Sequence, residues 1–148
     1  MPPIKLLIVD DHNLFRQGLI RILQDDDQLY VVGQASNGQE ALIQVERLQP
    51  DIVLMDLNMP VMSGPEAVRV MGERFPAIPV IMLTVSERDE DLFDAIKAGA
   101  RGYLLKNVGM AELIDAIRPG LHWVNGCAAA RMPWSKRRCA GSVCRICW

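Results

Sequence analysis

The chain has 148 residues, half of them hydrophobic, with a formal net charge of -2, and it has no apolar stretch of the about 18 residues that a membrane span needs. That length suits one domain with an appendage, and that apolar content is enough to build a core without disulfide or metal staples. After a single lysine the N-terminus runs straight into a strand pattern, so it does not read as a signal peptide, and a cytoplasmic protein is expected.

Five apolar runs are predicted as strands, starting near residues 4, 30, 52, 80 and 102. They are continuous rather than alternating, as expected for strands covered on both faces. Helical periodicity fills the gaps between them. Leu14, Leu19, Ile22 and Leu23 mark the first helix, and Ala41, Leu42, Val45 and Leu48 the second. Ala67, Val68 and Met71 mark the third, Leu92, Ala95, Ile96 and Ala98 the fourth, and Leu113, Ile114 and Ile117 the fifth. Helix starts are predicted at Ser36-Asn37-Gly38, at Ser63-Gly64-Pro65 and at Ser86, with a stop at Gly99 and another at Pro119-Gly120. Strand and helix in strict alternation predict βαβ units and a parallel sheet.

Polar residues end the strand runs: Asp10-Asp11, Ser36, Asp56, Thr84 and Lys106. In an open parallel sheet, ligands bind in the crevice outside the carboxyl ends of the strands. Ser36 leaves the set, because helix capping explains it. Three carboxylates in one crevice do not all stay ionised without a cation, and hard oxygen ligands with open positions suit Mg²⁺. Aspartate is also a nucleophile that forms an aspartyl phosphate. Lys106 would neutralise one phosphoryl oxygen, and the Thr84 hydroxyl would donate to another. Each residue alone has an ordinary reading: Asp10 or Asp11 as a helix cap, Asp56 as a turn residue, Thr84 as a strand residue, Lys106 as a solvated charge. His12 reads as a residue that packs or caps locally rather than one that binds metal. The acidic run Glu87, Asp89, Glu90, Asp91 and Asp94 reads as complement to a helix dipole, with a partner surface as the alternative.

Residues 4 to about 118 resemble the receiver domain of two-component response regulators. The segments that carry the resemblance are Ile8-Val9-Asp10-Asp11-His12, Leu54-Met55-Asp56-Leu57-Asn58-Met59-Pro60, Met82-Leu83-Thr84 and Gly102-Tyr103-Leu104-Leu105-Lys106. The wording is closest to the NarL/FixJ/LuxR-type subfamily, notably in Asp11-His12 followed by Phe15-Arg16 and in the ending Gly-Tyr-Leu-Leu-Lys. The resemblance implies a flavodoxin-like (βα)5 fold, a doubly wound five-stranded parallel sheet in the order 2-1-3-4-5. It implies Asp56 as the phosphoacceptor and Asp10 and Asp11 as the acidic Mg²⁺ pair, with Asp11 as the direct ligand. It implies a metal-site role for the Asn58 backbone carbonyl, Thr84 and Tyr103 as a switch pair, and Lys106 as the phosphate-binding lysine. Asn58 and Ser86 occupy positions at which the family tunes phosphoryl lifetime. A sensor histidine kinase is the implied partner. Homodimerisation would use either the first and fifth helices or the fourth helix with the fifth strand. DNA would be reached only through an output domain that this chain is expected to lack.

The charge is unevenly spread. Residues 1–117 hold 10 basic and 18 acidic residues, a balance of -8, while residues 118–148 hold six basic residues and no acid, a balance of +6. All four cysteines (Cys127, Cys139, Cys144 and Cys147) lie in that tail, together with all three tryptophans. Their spacing is a poor structural zinc pattern, and Lys136-Arg137-Arg138 reads as a solvated segment. The reading is of a receiver domain over 1–119 and an atypical Cys/Trp/Arg-rich tail over 120–148, disordered or else out of frame or added in cloning.

Other functions fit the residues less well. A haloacid-dehalogenase-type phosphatase wants a second acid two residues past its nucleophile, and Asn58 stands there. A flavodoxin-like cofactor binder wants a phosphate-cradling loop where Asp10-Asp11 would repel phosphate. A receiver kept only for dimerisation has no need of the full acidic set. A phosphoacceptor rather than a turnover enzyme is therefore expected.

Overall fold

The five apolar runs pair side by side, all parallel, in the order β2-β1-β3-β4-β5. In the computed structural model, which describes residues 2–118, β1 is Ile4–Val9, β2 Leu29–Ala35, β3 Ile52–Met55, β4 Val80–Thr84 and β5 Gly102–Leu105. Helices follow each strand: α1 Asn13–Leu23, α2 Gly38–Leu48, α3 Gly64–Arg74, α4 Asp89–Ala98 and α5 Met110–Ile117. The expected stop at Pro119-Gly120 and the readings of the 120–148 tail lie outside the described residues.

Strand residues alternate between two cores, because successive side chains leave a strand on opposite faces. Leu7, Val9, Val53, Met55 and Met82 point to the face covered by α2, α3 and α4. Leu6, Ile8, Ile52, Leu54, Ile81 and Leu83 point to the face covered by α1 and α5. Every residue of β3, β4 and β5 is buried, whereas the edge strand β2 exposes Tyr30 and Gln34. Unbroken apolar runs are what burial on both faces requires, so the central strands were legible from composition alone.

The helix ends follow local chemistry. Asn37 caps α2 by accepting the Glu40 N–H at 2.9 Å, and Ser63 caps α3 through the Glu66 N–H. Gly99 ends α4 with φ +107°, a conformation that costs glycine little.

Two expectations are corrected. α4 starts at Asp89 rather than at Ser86, because the Ser86 hydroxyl is committed elsewhere: it donates to the Asp91 carboxylate and accepts the Arg88 N–H. Leu14 and Ile22 do not belong to the buried stripe of α1, being 88% and 45% exposed. Residues at i and i+4 share a helix face, so Phe15, Leu19 and Leu23 form the inner stripe. Leu14 sits about 100° round from Phe15 and faces outward.

Gly64 sets how closely α3 approaches the end of β3. A Cβ there would lie 2.4 Å from the Asp56 carbonyl oxygen and 2.5 Å from the Met82 methyl. The backbone atom cannot yield as a side-chain tip can. Gly64→Ala is therefore expected to lower unfolding free energy by roughly 1–3 kcal/mol, the usual cost of overpacking. Urea denaturation measures it, and an unchanged midpoint would rule out this account of the glycine.

Candidate functional site

β1 and β3 are neighbours in the sheet although β2 lies between them in the chain, so the strand order reverses at this pair. Such a switch point opens a crevice at the carboxyl ends of the strands. The register pairs Val9 with Met55, which places Asp10 and Asp56, the next residue of each strand, side by side. The Asp56 N–H donates to the Val9 carbonyl at 2.9 Å, and the Asp10 N–H to the Ala35 carbonyl at 3.0 Å. Backbone bonds thus hold both acids before their side chains meet anything.

Asp10 is 3% exposed, Asp56 5% and Thr84 1%. Lys106, at the end of β5, reaches across to them. Its Nζ lies 2.6 Å from Asp10 Oδ2 and 3.4 Å from Asp56 Oδ2. It also stands 4.4 Å from the centre of the Phe15 ring, which covers it from the α1 side. The long apolar stem of lysine makes such burial of its head tolerable when carboxylates receive the charge.

The two oxygens of Asp56 have different surroundings. Oδ1 accepts the Leu57 N–H at 2.8 Å, while Oδ2 faces Lys106. Burial, and then the neighbouring Asp10 charge, push the Asp56 carboxyl up to about 6, against the opposing pull of Lys106 and of the Leu57 N–H. One ammonium is too little charge for this many carboxylates. Asp10, Asp11, His12 and Asp56 each bring one ligand atom to within 4.8 Å of the others. A hard divalent cation fits this oxygen-rich, charge-deficient arrangement.

Beyond the acids the contacts run outward along the β4–α4 loop. The Thr84 hydroxyl accepts the Ser86 N–H at 3.2 Å, and the Tyr103 hydroxyl donates to the Ser86 carbonyl at 3.1 Å. Tyr103 is 2% exposed, so its ring is turned inward. Ser86 in turn holds Asp91 in the first turn of α4. One loop residue therefore connects the crevice to the helix beyond it. Asn58 lies exposed on the loop between β3 and α3, two residues past Asp56.

The pattern of response regulator receiver domains matches residues 6–118. The response regulator GacA of Pseudomonas syringae is 49% identical over 115 residues, which cover 78% of this chain and 54% of that protein. The nitrate/nitrite response regulator protein NarL of Escherichia coli is 37% identical over 115 residues, 78% of this chain and 53% of that protein. A LuxR-family two-component response regulator from Aurantimonas superposes with a TM-score of 0.77 at 32% identity, covering 81% of this chain and 86% of that one. The chain belongs to the response regulator receiver domain family. It spans about half the length of the curated relatives it matches. The receiver fold expected from the sequence, with its strand order 2-1-3-4-5, is the fold observed. Among the described residues, no helix is long and apolar enough to cross a membrane.

Asp10, Asp11, Asp56 and Lys106 meet at one end of the receiver sheet as expected, with Thr84 ending β4 and Tyr103 packed on the neighbouring strand. Three contributors were not anticipated. His12 neither packs nor caps: its side chain is 67% exposed and forms no cap bond to α1, and its Nδ1 lies 3.0 Å from Asp10 Oδ1. Arg16 donates to the Asp10 carbonyl at 2.5 Å and to Gln34 at 2.7 Å, tying α1 to β1 and β2. Phe15 covers Lys106. The i+4 spacing of Arg16 from His12 was visible in the sequence, but a partner on the backbone carries no sequence signal.

The raised Asp56 carboxyl has a consequence for stability. Because its folded value lies above its unfolded one, this group's contribution is fully present below about pH 4 and is lost as the pH rises through about 6. In metal-free buffer at pH 8, Asp56→Asn is expected to be more stable than the native sequence by on the order of 2 kcal/mol. The difference should nearly vanish by about pH 4. Urea melts with a chelator at both pH values test this, and a difference that does not depend on pH would refute it.

Proposed function

We propose that the chain is a phosphoacceptor switch, in which Asp56 takes a phosphoryl group from a sensor histidine kinase in a Mg²⁺-dependent reaction. The observation that carries this reading is the unequal treatment of the two Asp56 oxygens. Oδ1 is pinned by the Leu57 N–H and Oδ2 is left facing Lys106 and the acidic crevice. Oδ2 is therefore the oxygen that attacks phosphorus, forming the acyl-phosphate bond as the bond from phosphorus to the donor histidine breaks. Lys106 then moves its charge from a carboxylate to a phosphoryl oxygen. The Thr84 hydroxyl, which accepts the Ser86 N–H in this conformation, still has its proton to donate to another phosphoryl oxygen.

The residues that would hold Mg²⁺ are Asp10, Asp11, Asp56 and the backbone carbonyl of Asn58. When bound, the ion neutralises carboxylate and phosphoryl charge and orients the group to be transferred. Asp11 is the most exposed of the three acids, so it is the residue best placed to serve as a direct ligand. A change at Thr84 would pass through Ser86 to Tyr103 and to Asp91 on α4, giving two arrangements of the α4 face for a phosphate to select between. This role is that of a switch rather than of an enzyme turning over external substrates.

The partners proposed are a sensor histidine kinase and a second copy of the receiver, and the place of action proposed for the chain is the cytoplasm. Transcriptional control is proposed for a full-length parent that carries a DNA-binding domain. Residues 120–148 are proposed to be an out-of-frame or added segment outside the receiver unit of residues 1–119. Sequencing of the coding DNA tests this, since a helix-turn-helix spelled in a neighbouring frame would support it and the absence of one would overturn it.

Incubation with Mg²⁺ and acetyl phosphate, followed by intact-mass measurement, is expected to give a single labile phosphoryl adduct. Asp56→Asn should abolish the adduct, and Lys106→Ala should reduce its yield at least about tenfold, the scale of losing one charge-assisted contact. A folded native protein that takes no adduct from any donor would defeat the reading.

A further inference from the structure

His12 is the residue of the crevice that the proposed function does not use. It follows Asp11 directly and precedes α1, yet its imidazole makes no cap bond and is not packed in either core. Instead it is turned toward the acids. Nδ1 lies 3.0 Å from Asp10 Oδ1, 3.2 Å from Asp11 Oδ1 and 3.8 Å from Asp56 Oδ2. The Asp10 oxygen is itself held by the His12 backbone N–H at 2.8 Å, so the ring and its acidic neighbour are fixed to one another.

These separations match the spacing of ligand atoms around a common ion. On an octahedron with bonds of about 2.1 Å, adjacent ligands are about 3.0 Å apart and opposite ones about 4.2 Å. On a tetrahedron of similar bonds they are about 3.4 Å apart. Without an ion, Nδ1 is hydrogen-bonded to Asp10 Oδ1, and the same nitrogen is one of four candidate ligand atoms, with those of Asp10, Asp11 and Asp56, that lie within 4.8 Å of one another. Lys106 approaches Asp10 through its other oxygen, Oδ2, and leaves the His12 side of the crevice open.

We propose that His12 is a metal ligand of this receiver site and determines its selectivity, favouring borderline divalent cations such as Ni²⁺ and Co²⁺ over Mg²⁺. The proposal rests on reading the crevice as a cation site. Its physical basis is donor type: Mg²⁺ takes oxygen ligands and retains waters, whereas imidazole nitrogen suits Ni²⁺, Zn²⁺ and related ions. An imidazole at one vertex adds a strong bond for the second group and little for the first. With three carboxylates alone the site would still prefer Ni²⁺ by the ordinary series of affinities, so the decisive quantity is the change in the Ni²⁺/Mg²⁺ ratio when His12 is removed.

Isothermal titration of the full chain with NiCl2 and with MgCl2, its four cysteines alkylated in every sample, measures that ratio. His12→Ala is expected to lower Ni²⁺ affinity at least tenfold while leaving Mg²⁺ affinity within threefold. His12→Asn, which keeps a good residue at the helix start, should behave in the same way, so a loss of folding in one variant does not obscure the result. In the native chain, substoichiometric Co²⁺ should broaden the His12 ring signals in NMR before those of His122. Equal effects of His12→Ala on both ions, or none on either, would overturn the proposal. Asp11→Asn separates this failure from that of the underlying reading. If it abolishes binding of both ions while His12→Ala changes no ratio, only the role of His12 falls. If it leaves Mg²⁺ binding intact, the crevice is not the cation site.

Discussion

Too much negative charge is held at one point of this fold, and the surrounding structure is arranged about that fact. Asp10 and Asp56 are side by side because β1 and β3 are paired, and the backbone bonds of the sheet leave them no way to separate. Burial first, and then the charge of Asp10 beside it, make Asp56 hold its proton up to about 6. Lys106 relieves part of the repulsion, and its own burial is tolerable only because both carboxylates receive it. The site is therefore strained in the direction of its chemistry, since a cation or a change in the charge at Asp56 alters the balance of every neighbouring contact.

That balance is connected to a surface by few bonds. Thr84 and Tyr103 hold opposite sides of the same loop residue: one accepts the Ser86 N–H and the other donates to its carbonyl. The Ser86 hydroxyl is bonded to Asp91, so α4 is attached through its first turn. Sheet and helix cores on either side are tightly filled and resist continuous deformation. The loop at Ser86 is held between these cores by four polar contacts, the fourth being the Arg88 N–H, which donates to the Ser86 hydroxyl. The acidic start of α4 is explained by the helix dipole, and Asp91 is the member of that run with an additional, connecting contact.

Reading from sequence succeeded where the physics is local or repetitive. Unbroken runs such as Ile52–Met55 announce strands buried on both faces, and Asn37, Ser63 and Gly99 mark helix ends by their own side-chain or backbone chemistry. It failed where a residue had competing partners. Ser86 has the chemistry of a helix cap, but the nearby Asp91 carboxylate takes its hydroxyl and α4 begins later. Ser36 also has the chemistry of a helix cap, but its neighbour Asn37 is the cap; Ser36 instead donates through its N–H and hydroxyl to Glu40 and holds that carboxyl below the usual range. Leu14 fits a helical period as well as Phe15 does, and only the placement of α1 against β5 and α5 decides which of them turns inward.

The elements, the parallel sheet and the gathering of Asp10, Asp56, Thr84 and Lys106 are written in the chain, because strand ends in an alternating α/β chain converge on one end of the sheet whatever their separation in sequence. The wiring of the site, and the arrival of His12, Arg16 and Phe15 in it, come from the packed fold. Which oxygen of Asp56 is pinned, which oxygen of Asp10 meets Lys106, and that the His12 ring lies at ligand spacing from the acids all depend on angles and registers set by packing. A one-dimensional pattern records that a residue is present at an edge. It does not record the direction of a side chain whose partners come from strands and helices tens of residues away.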